Sequence, residues 1–66
     1  MNPLRKVRIL QEKSIHLVSL KTNIDCGKLS LIERGLREPT PDEKSRLAKV
    51  LRARIRDLFP READNA

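Results

Sequence analysis

Aromatic residues are almost absent from this chain, since Phe59 is the only one and there is no tryptophan or tyrosine. Proteins that bind single-stranded nucleic acid by base stacking need exposed aromatic rings, so we exclude that class.

Cysteine is equally scarce. Cys26 alone can form neither an internal disulfide nor a cysteine-rich zinc site. A reducing compartment fits this usage best, and we therefore expect a cytoplasmic protein.

Long apolar runs are missing as well. No stretch of the sequence is long enough to span a bilayer, and the segment from Met1 to Lys6 has no apolar run after its basic residues. We expect neither a membrane segment nor a signal peptide.

The chain has only two glycines and no alternating pattern of the kind that strands produce. These absences predict an all-α protein.

The residues that commonly form catalytic or metal sites are also too few. His16 and Cys26 are the single histidine and the single thiol. A metal site needs more ligands, and a catalytic pair needs a third group to orient it. We expect no enzyme activity, no metal and no cofactor. His16 is interpreted as an exposed helix residue within reach of a phosphate, and Cys26 either as a plain small residue or as a redox-sensitive contact.

Positive charge is what the chain has in excess, with 15 Lys and Arg against 9 Asp and Glu and a formal net charge of +6. This balance is typical of a protein that binds a polyanion, although charges that merely solvate the surface are the alternative. The 66 residues allow one domain with a thin core, which dimerisation would help to stabilise. We assign residues 1–60 to this domain and residues 61–66 to a flexible polar tail.

Apolar residues at helical spacing predict five helices. The first extends from Pro3 to about Glu12, and its inward residues are expected to be Leu4, Val7 and either Ile9 or Leu10. Ser14 is suited to cap the second helix. The small buried face of that helix is expected to comprise Ile15, Val18, Ser19 and Thr22.

A short capped helix is predicted between Asn23 and Gly35. Asn23 tolerates left-handed backbone angles and can end the second helix. Asp25 can accept a hydrogen bond from a first-turn amide, and Gly35 can stop the helix after about Arg34. The inward residues are expected to be Leu29 and Ile32. A helix this short buries little by itself, so a scaffold must present it, as happens with a recognition helix.

The fourth helix has a complete start signal. Thr40 is the cap, Pro41 occupies the first helical position, and Glu43 can reach back to form a capping box. Its expected core residues are Leu47, Val50 and Leu51. A short fifth segment adds Ile55, Leu58 and Phe59 before Pro60 ends it.

Many of these residues also match a known family. The matching positions are Leu4, Arg5, Arg8, Ser14, Ile24, Leu29, Ser30, Ile32, Glu33, Arg34, Gly35, Arg37, Pro39, Thr40, Leu47, Ala48, Val50, Leu51, Asp57, Leu58 and Phe59. On these residues the chain resembles the lambda-repressor-like helix-turn-helix proteins, the XRE or Cro/CI family, over roughly residues 4–59. The resemblance implies a compact five-helix domain that binds double-stranded DNA, usually as a homodimer, with about residues 25–34 in the major groove.

The resemblance also implies roles for individual residues. Arg8 and Glu33 would form an ion pair that holds the third helix on the scaffold, although two ordinary surface charges are the alternative. The base-reading positions would be Cys26, Gly27, Ser30 and Leu31. Phosphates would be bound by Lys28, Arg34 and Arg37, and by amides at the starts of the second and third helices.

Direct base readout looks poor in this sequence. Among the base-reading positions only Ser30 carries an ordinary hydrogen-bonding side chain, and Leu31 can only touch a thymine methyl group. We expect specificity from DNA shape, from Lys28 and the loop arginines, or only low specificity. The cations of the later helices are expected to be solvated surface charges, namely Arg46, Lys49, Arg52, Arg54 and Arg56.

The function expected from these observations is sequence-specific DNA binding by a small transcriptional regulator, a repressor, without a small-molecule sensor domain. The alternative is a protein-interaction module on the same scaffold, such as an antitoxin or a regulator of another factor. Leu17 and Leu20 stand where the family usually has polar residues, and with Leu31 they would form an apolar patch for a protein partner. Otherwise these leucines pack under the loop or the tail.

Overall fold

The computed structural model describes residues 3–60, and the predicted tail at 61–66 lies outside them. Five helices follow one another in this part of the chain: α1 (Pro3–Leu10), α2 (Ile15–Thr22), α3 (Cys26–Glu33), α4 (Pro41–Leu51) and α5 (Ile55–Leu58). No strand occurs within the described range, so the prediction of an all-α chain is confirmed. None of these helices has the length and apolar character needed to cross a membrane.

Side-chain caps begin α2, α3 and α4 where the sequence predicts them. The Ser14 hydroxyl accepts a hydrogen bond from a first-turn amide of α2, and the Asp25 carboxylate accepts one from the Gly27 amide at 2.9 Å. At α4 the Thr40 hydroxyl accepts from the Glu43 amide while the Glu43 carboxylate accepts from the Thr40 amide at 2.8 Å. The predicted capping box is therefore confirmed.

Residues in the left-handed region follow the helices. Asn23 (φ 59°) and Gly35 (φ 75°) adopt this conformation after α2 and α3, as predicted. Glu12 (φ 55°) does so after α1, which is why that helix ends at Leu10 rather than near Glu12. Arg52 (φ 51°) ends α4 in the same way. Left-handed angles cost a residue with a Cβ about 1–2 kcal/mol, so Arg52 is strained where glycine would not be.

A single apolar core connects the helices. α2 packs against both α3 and α4, and α1 packs against α5. The buried apolar residues are Leu4, Val18, Ile24, Leu29, Ile32, Leu47, Leu51 and Leu58. Thr22 is also buried, and its hydroxyl donates a hydrogen bond to the Val18 carbonyl, so this polar group has a partner inside the core.

Two predictions of core residues are wrong, namely the choice of either Ile9 or Leu10 on α1 and that of Ile55 on α5. Ile9 and Leu10 are 46% and 73% exposed, because α1 turns the side that bears Leu4 toward the core and leaves the opposite side to solvent. Ile55 is 36% exposed, since α5 is a single turn and directs only Leu58 fully inward. Val50 on α4 and Phe59, which follows α5, are half-buried. The other predicted positions of this region are buried, namely Leu47, Leu51 and Leu58.

Polar side chains also connect helices by capping exposed carbonyls. Gln11 Nε2 donates to the Leu51 carbonyl at 2.6 Å, and Lys13 Nζ donates to the Val50 carbonyl at 2.9 Å. The last carbonyls of a helix have no partner inside it, so these bonds attach the loop after α1 to the end of α4. The exposed Gln11 and the half-buried Lys13 thus both help to hold the scaffold together.

Substitutions at two left-handed positions should change stability in opposite directions. Gly35→Ala introduces a Cβ at φ 75° and should lower the free energy of unfolding by about 1 kcal/mol. Arg52→Gly relieves the same strain at φ 51° and should raise it by about 0.5–1 kcal/mol. Urea unfolding followed by circular dichroism measures both, and an Arg52→Gly variant less stable than the wild type would contradict the argument.

Candidate nucleic-acid interface

Helix α3 has one side in the core and the opposite side at the surface. Leu29, Ile32 and Glu33 are buried, whereas Gly27 is exposed and Ser30 and Leu31 are half-buried. Gly27 and Leu31 are four residues apart, and Ser30 is three from Gly27, so these residues share the outer face of the helix. Together with the half-buried Cys26 they form the outer face of α3, which contains all four predicted base-reading positions.

The first turns of α2 and α3 lie side by side. Cys26 Sγ is 3.4 Å from His16 Nδ1, a contact between the two helix starts that sequence reasoning did not detect. The contact brings the starts of the two helices, which carry the positive ends of the helix dipoles, within side-chain reach of each other. Asp25 Oδ2 already accepts hydrogen bonds from the Gly27 and Lys28 amides, so a phosphate could reach those two amides only by displacing the carboxylate.

Arg8 and Glu33 form a two-pronged ion pair that connects α1 to the end of α3. Arg8 Nε lies 2.6 Å from Glu33 Oε2, and Nη2 lies 3.0 Å from Oε1. The third nitrogen, Nη1, donates to the Lys13 carbonyl at 2.9 Å. The side chains are only 14% and 5% exposed. Hydrogen bonding to Glu33 raises the pKa of the Arg8 guanidinium, which therefore remains charged in its partly buried position.

Lys28 is bound within the protein rather than extended into solvent. Its Nζ lies 2.6 Å from Glu43 Oε2, at the first turn of α4. The same carboxylate completes the capping box with Thr40. The hydrogen bond from Lys28, with a smaller contribution from the Thr40 amide, lowers the pKa of the Glu43 carboxyl. The sequence contains both charges, but their separation of fifteen residues gave no signal that they would meet.

The two predicted phosphate-binding arginines lie at the end of α3. Arg34 caps the helix, is exposed, and donates through Nε to the Ser30 carbonyl at 3.4 Å. Arg37 is exposed in the following loop, and within residues 3–60 its side chain makes no ion pair or hydrogen bond. Of the three cations predicted to bind phosphate, Arg34 and Arg37 are therefore exposed, whereas Lys28 is paired.

The leucines of the predicted apolar patch differ in exposure. Leu20 is 82% exposed and Leu17 is 37% exposed, and their spacing of three places them on one outer face of α2. Leu31, on α3, is half-buried. The described part of the loop after α3 does not cover Leu20, and Leu36 in that loop is itself 68% exposed.

Comparison with protein-family models, with curated proteins and with solved structures finds no match to this chain. The resemblance noted from individual residues therefore stays an interpretation of the sequence, and the geometry described above carries the functional argument.

Removal of the Glu33 charge should destabilise the protein strongly. Glu33→Gln leaves the Arg8 guanidinium partly buried without a counter-charge and should lower the free energy of unfolding by about 3 kcal/mol. Glu38→Gln is a matched control, because Glu38 is 82% exposed and lies 3.9 Å from Lys44. We expect that change to cost less than about 0.5 kcal/mol. If thermal melts show equal losses of stability in the two variants, the Arg8–Glu33 pair contributes no more than a surface ion pair.

Acid should weaken the Lys28–Glu43 pair. The pKa of Glu43 is lower in the folded chain than its usual value of 4.5, so its carboxylate stabilises the fold above that pH. This contribution is lost as the pH falls through the folded-state pKa. Glu43→Gln should therefore lower the melting temperature at pH 7 but make progressively less difference below pH 4.5. A difference between the two proteins that is independent of pH would contradict the assignment.

Proposed function

We propose that this protein binds double-stranded DNA as a small transcriptional regulator, a repressor, with α2 and α3 acting as a helix-turn-helix. The observation that carries the proposal is the outer face of α3. The opposite side of that helix is packed in the core and joined to α1 through Glu33, while the outer face bears no large side chain except Leu31. A short, rigidly held helix with a narrow outer face fits the width of the major groove.

The charge around α3 supports the same partner. Arg34 and Arg37 are exposed where α3 ends. The start of α2, where the helix dipole favours an anion, lies beside the start of α3, which the Asp25 carboxylate already caps. The formal net charge of +6 attracts a polyanion over a longer range. Phosphates on either side of a groove would contact these two ends of the interface.

Small residues on the outer face indicate how the DNA would be read. Gly27 and Cys26 let the backbone of α3 come close to the groove, but they offer few groups that distinguish one base pair from another. Ser30 supplies one hydroxyl. We infer that DNA shape and deformability contribute more to specificity than direct base contacts do. A homodimer on a two-fold symmetric site would double this limited readout.

Salt dependence of DNA binding tests the proposal. The purified protein should bind fragments selected from a genomic library, and four phosphate contacts per protomer would give a slope of log affinity against log salt of about −3.6 per protomer. Arg34→Gln and Arg37→Gln should each make the slope shallower by about 0.9. Gel-shift titrations between low and physiological salt measure both quantities.

Arg56→Gln is the matched control. Arg56 is exposed on α5, so the substitution removes one positive charge, as the other two variants do, but at a different helix. We expect it to leave the slope unchanged. Absence of any shift at low salt would overturn the proposal. An equal effect of Arg56→Gln would show that binding depends on overall charge rather than on α3.

A protein-binding role is the second candidate, and the exposure of Leu17 and Leu20 favours it. Exposed leucines on one helix face are a common feature of sites for protein partners. This candidate predicts no DNA shift at low salt and a stably co-purifying protein that Leu20→Gln releases. Loss of DNA binding in the same variant, with its fold intact, would instead place Leu20 at the DNA.

A further inference from the structure

We propose that Lys28 is a positioning residue that sets the angle of α3 through Glu43, and that it does not contact DNA itself. The inference rests on the proposed function, because it concerns how α3 is presented to a groove. It also reverses the role that the sequence suggests for Lys28, which is that of a phosphate ligand.

The geometry of the carboxylate favours a fixed contact. Glu43 Oε2 lies 2.6 Å from Lys28 Nζ, while Oε1 accepts from the Thr40 amide at 2.8 Å. Both oxygens are therefore engaged, and the capping box prevents the carboxylate from turning with the lysine. The Lys28 and Glu43 side chains are 23% and 14% exposed. Partial burial strengthens such a pair relative to one in open solvent.

The pair completes the attachment of a helix that has little apolar surface. Lys28 lies in the first turn of α3 and connects it to the start of α4. Glu33 is the last residue of α3 and connects it to α1 through Arg8. The two ends of the eight-residue helix are thus joined to different neighbours. These two polar attachments lie near the ends of α3 and add to the packing of Leu29 and Ile32 in the core.

The two roles for Lys28 predict opposite effects of removing the Glu43 charge. A lysine that binds phosphate would be released from an internal competitor, so the affinity for DNA would rise. A lysine that positions α3 would lose its anchor, so the affinity would fall. Glu43→Gln separates the two cases, because glutamine also serves in a capping box and leaves the start of α4 intact.

DNA titrations at several salt concentrations decide between the roles. For a positioning residue, Glu43→Gln and Lys28→Gln should each weaken binding by roughly three- to tenfold without changing the salt slope, and Lys28→Arg should restore most of the affinity. Lys49→Gln, which removes an exposed charge from α4, should have little effect. Tighter binding by Glu43→Gln, or a slope made shallower by about 0.9 in Lys28→Gln, would overturn the proposal.

The free energy of unfolding, measured without DNA, tests the Lys28–Glu43 pair independently of the proposed function. The double variant, with both Lys28→Gln and Glu43→Gln, should be no less stable than either single variant, because the two side chains act as one unit. Additive losses of stability would overturn the proposal even if the wild type binds DNA. Wild-type protein that binds no DNA, combined with non-additive stability, would reject the proposed function while leaving Lys28 and Glu43 as one unit that joins α3 to α4.

Discussion

Attachment of the end of α3 to the rest of the protein depends on the ion pair between Arg8 and Glu33. Two nitrogens of the guanidinium bind both carboxylate oxygens, and the third nitrogen binds the Lys13 carbonyl. One residue of α1 thereby joins the end of α3 to the loop before α2. A chain of this size has a stability of only a few kcal/mol, so a buried charge pair that loses one partner affects the whole fold.

Other contacts attach α3 to two further helices. Lys28 connects its start to α4, and Cys26 touches His16 at the start of α2. Three neighbouring helices are therefore joined to a helix of eight residues whose core contribution is Leu29 and Ile32. Such a short element would otherwise fray or tilt, since isolated helices of this length are not stable in water. Of the outer-face residues, Gly27, Ser30 and Leu31 take no part in these three contacts.

The surface around α3 combines two chemistries that usually serve different partners. Arg34 and Arg37 suit a polyanion, whereas Leu17 and Leu20 on α2 suit an apolar surface. The cations lie at the end of α3, and the leucines lie on a face of α2 that the core does not use. The scaffold could therefore accommodate a protein contact on α2 beside DNA on α3, with the two partners competing only if the leucines approach the groove.

The caps show which parts of the fold could be predicted. The caps are Ser14, Asp25 and Thr40. Each accepts a hydrogen bond from an amide two or three residues later, so a short stretch of sequence is enough to predict its role. Spacing also predicted the buried residues Leu29 and Ile32 of α3. On α2 the predicted Val18 and Thr22 are buried, whereas Ile15 and Ser19 are half-buried. The exposure of Ile9, Leu10 and Ile55 was not predicted, because whether an apolar residue is buried depends on which neighbouring helix covers it, and no neighbour covers them.

Local sequence alone thus determined where the helices begin, that Gly35 ends α3, and that cations cluster near its end. Only the tertiary structure decided which charges are available to a ligand. Lys28 and Glu43 are separated by fifteen residues and meet because α3 and α4 are folded against each other, while Arg37 stays exposed in its loop. The energy of an ion pair depends on distance and burial, and both are properties of the folded chain rather than of the order of its residues.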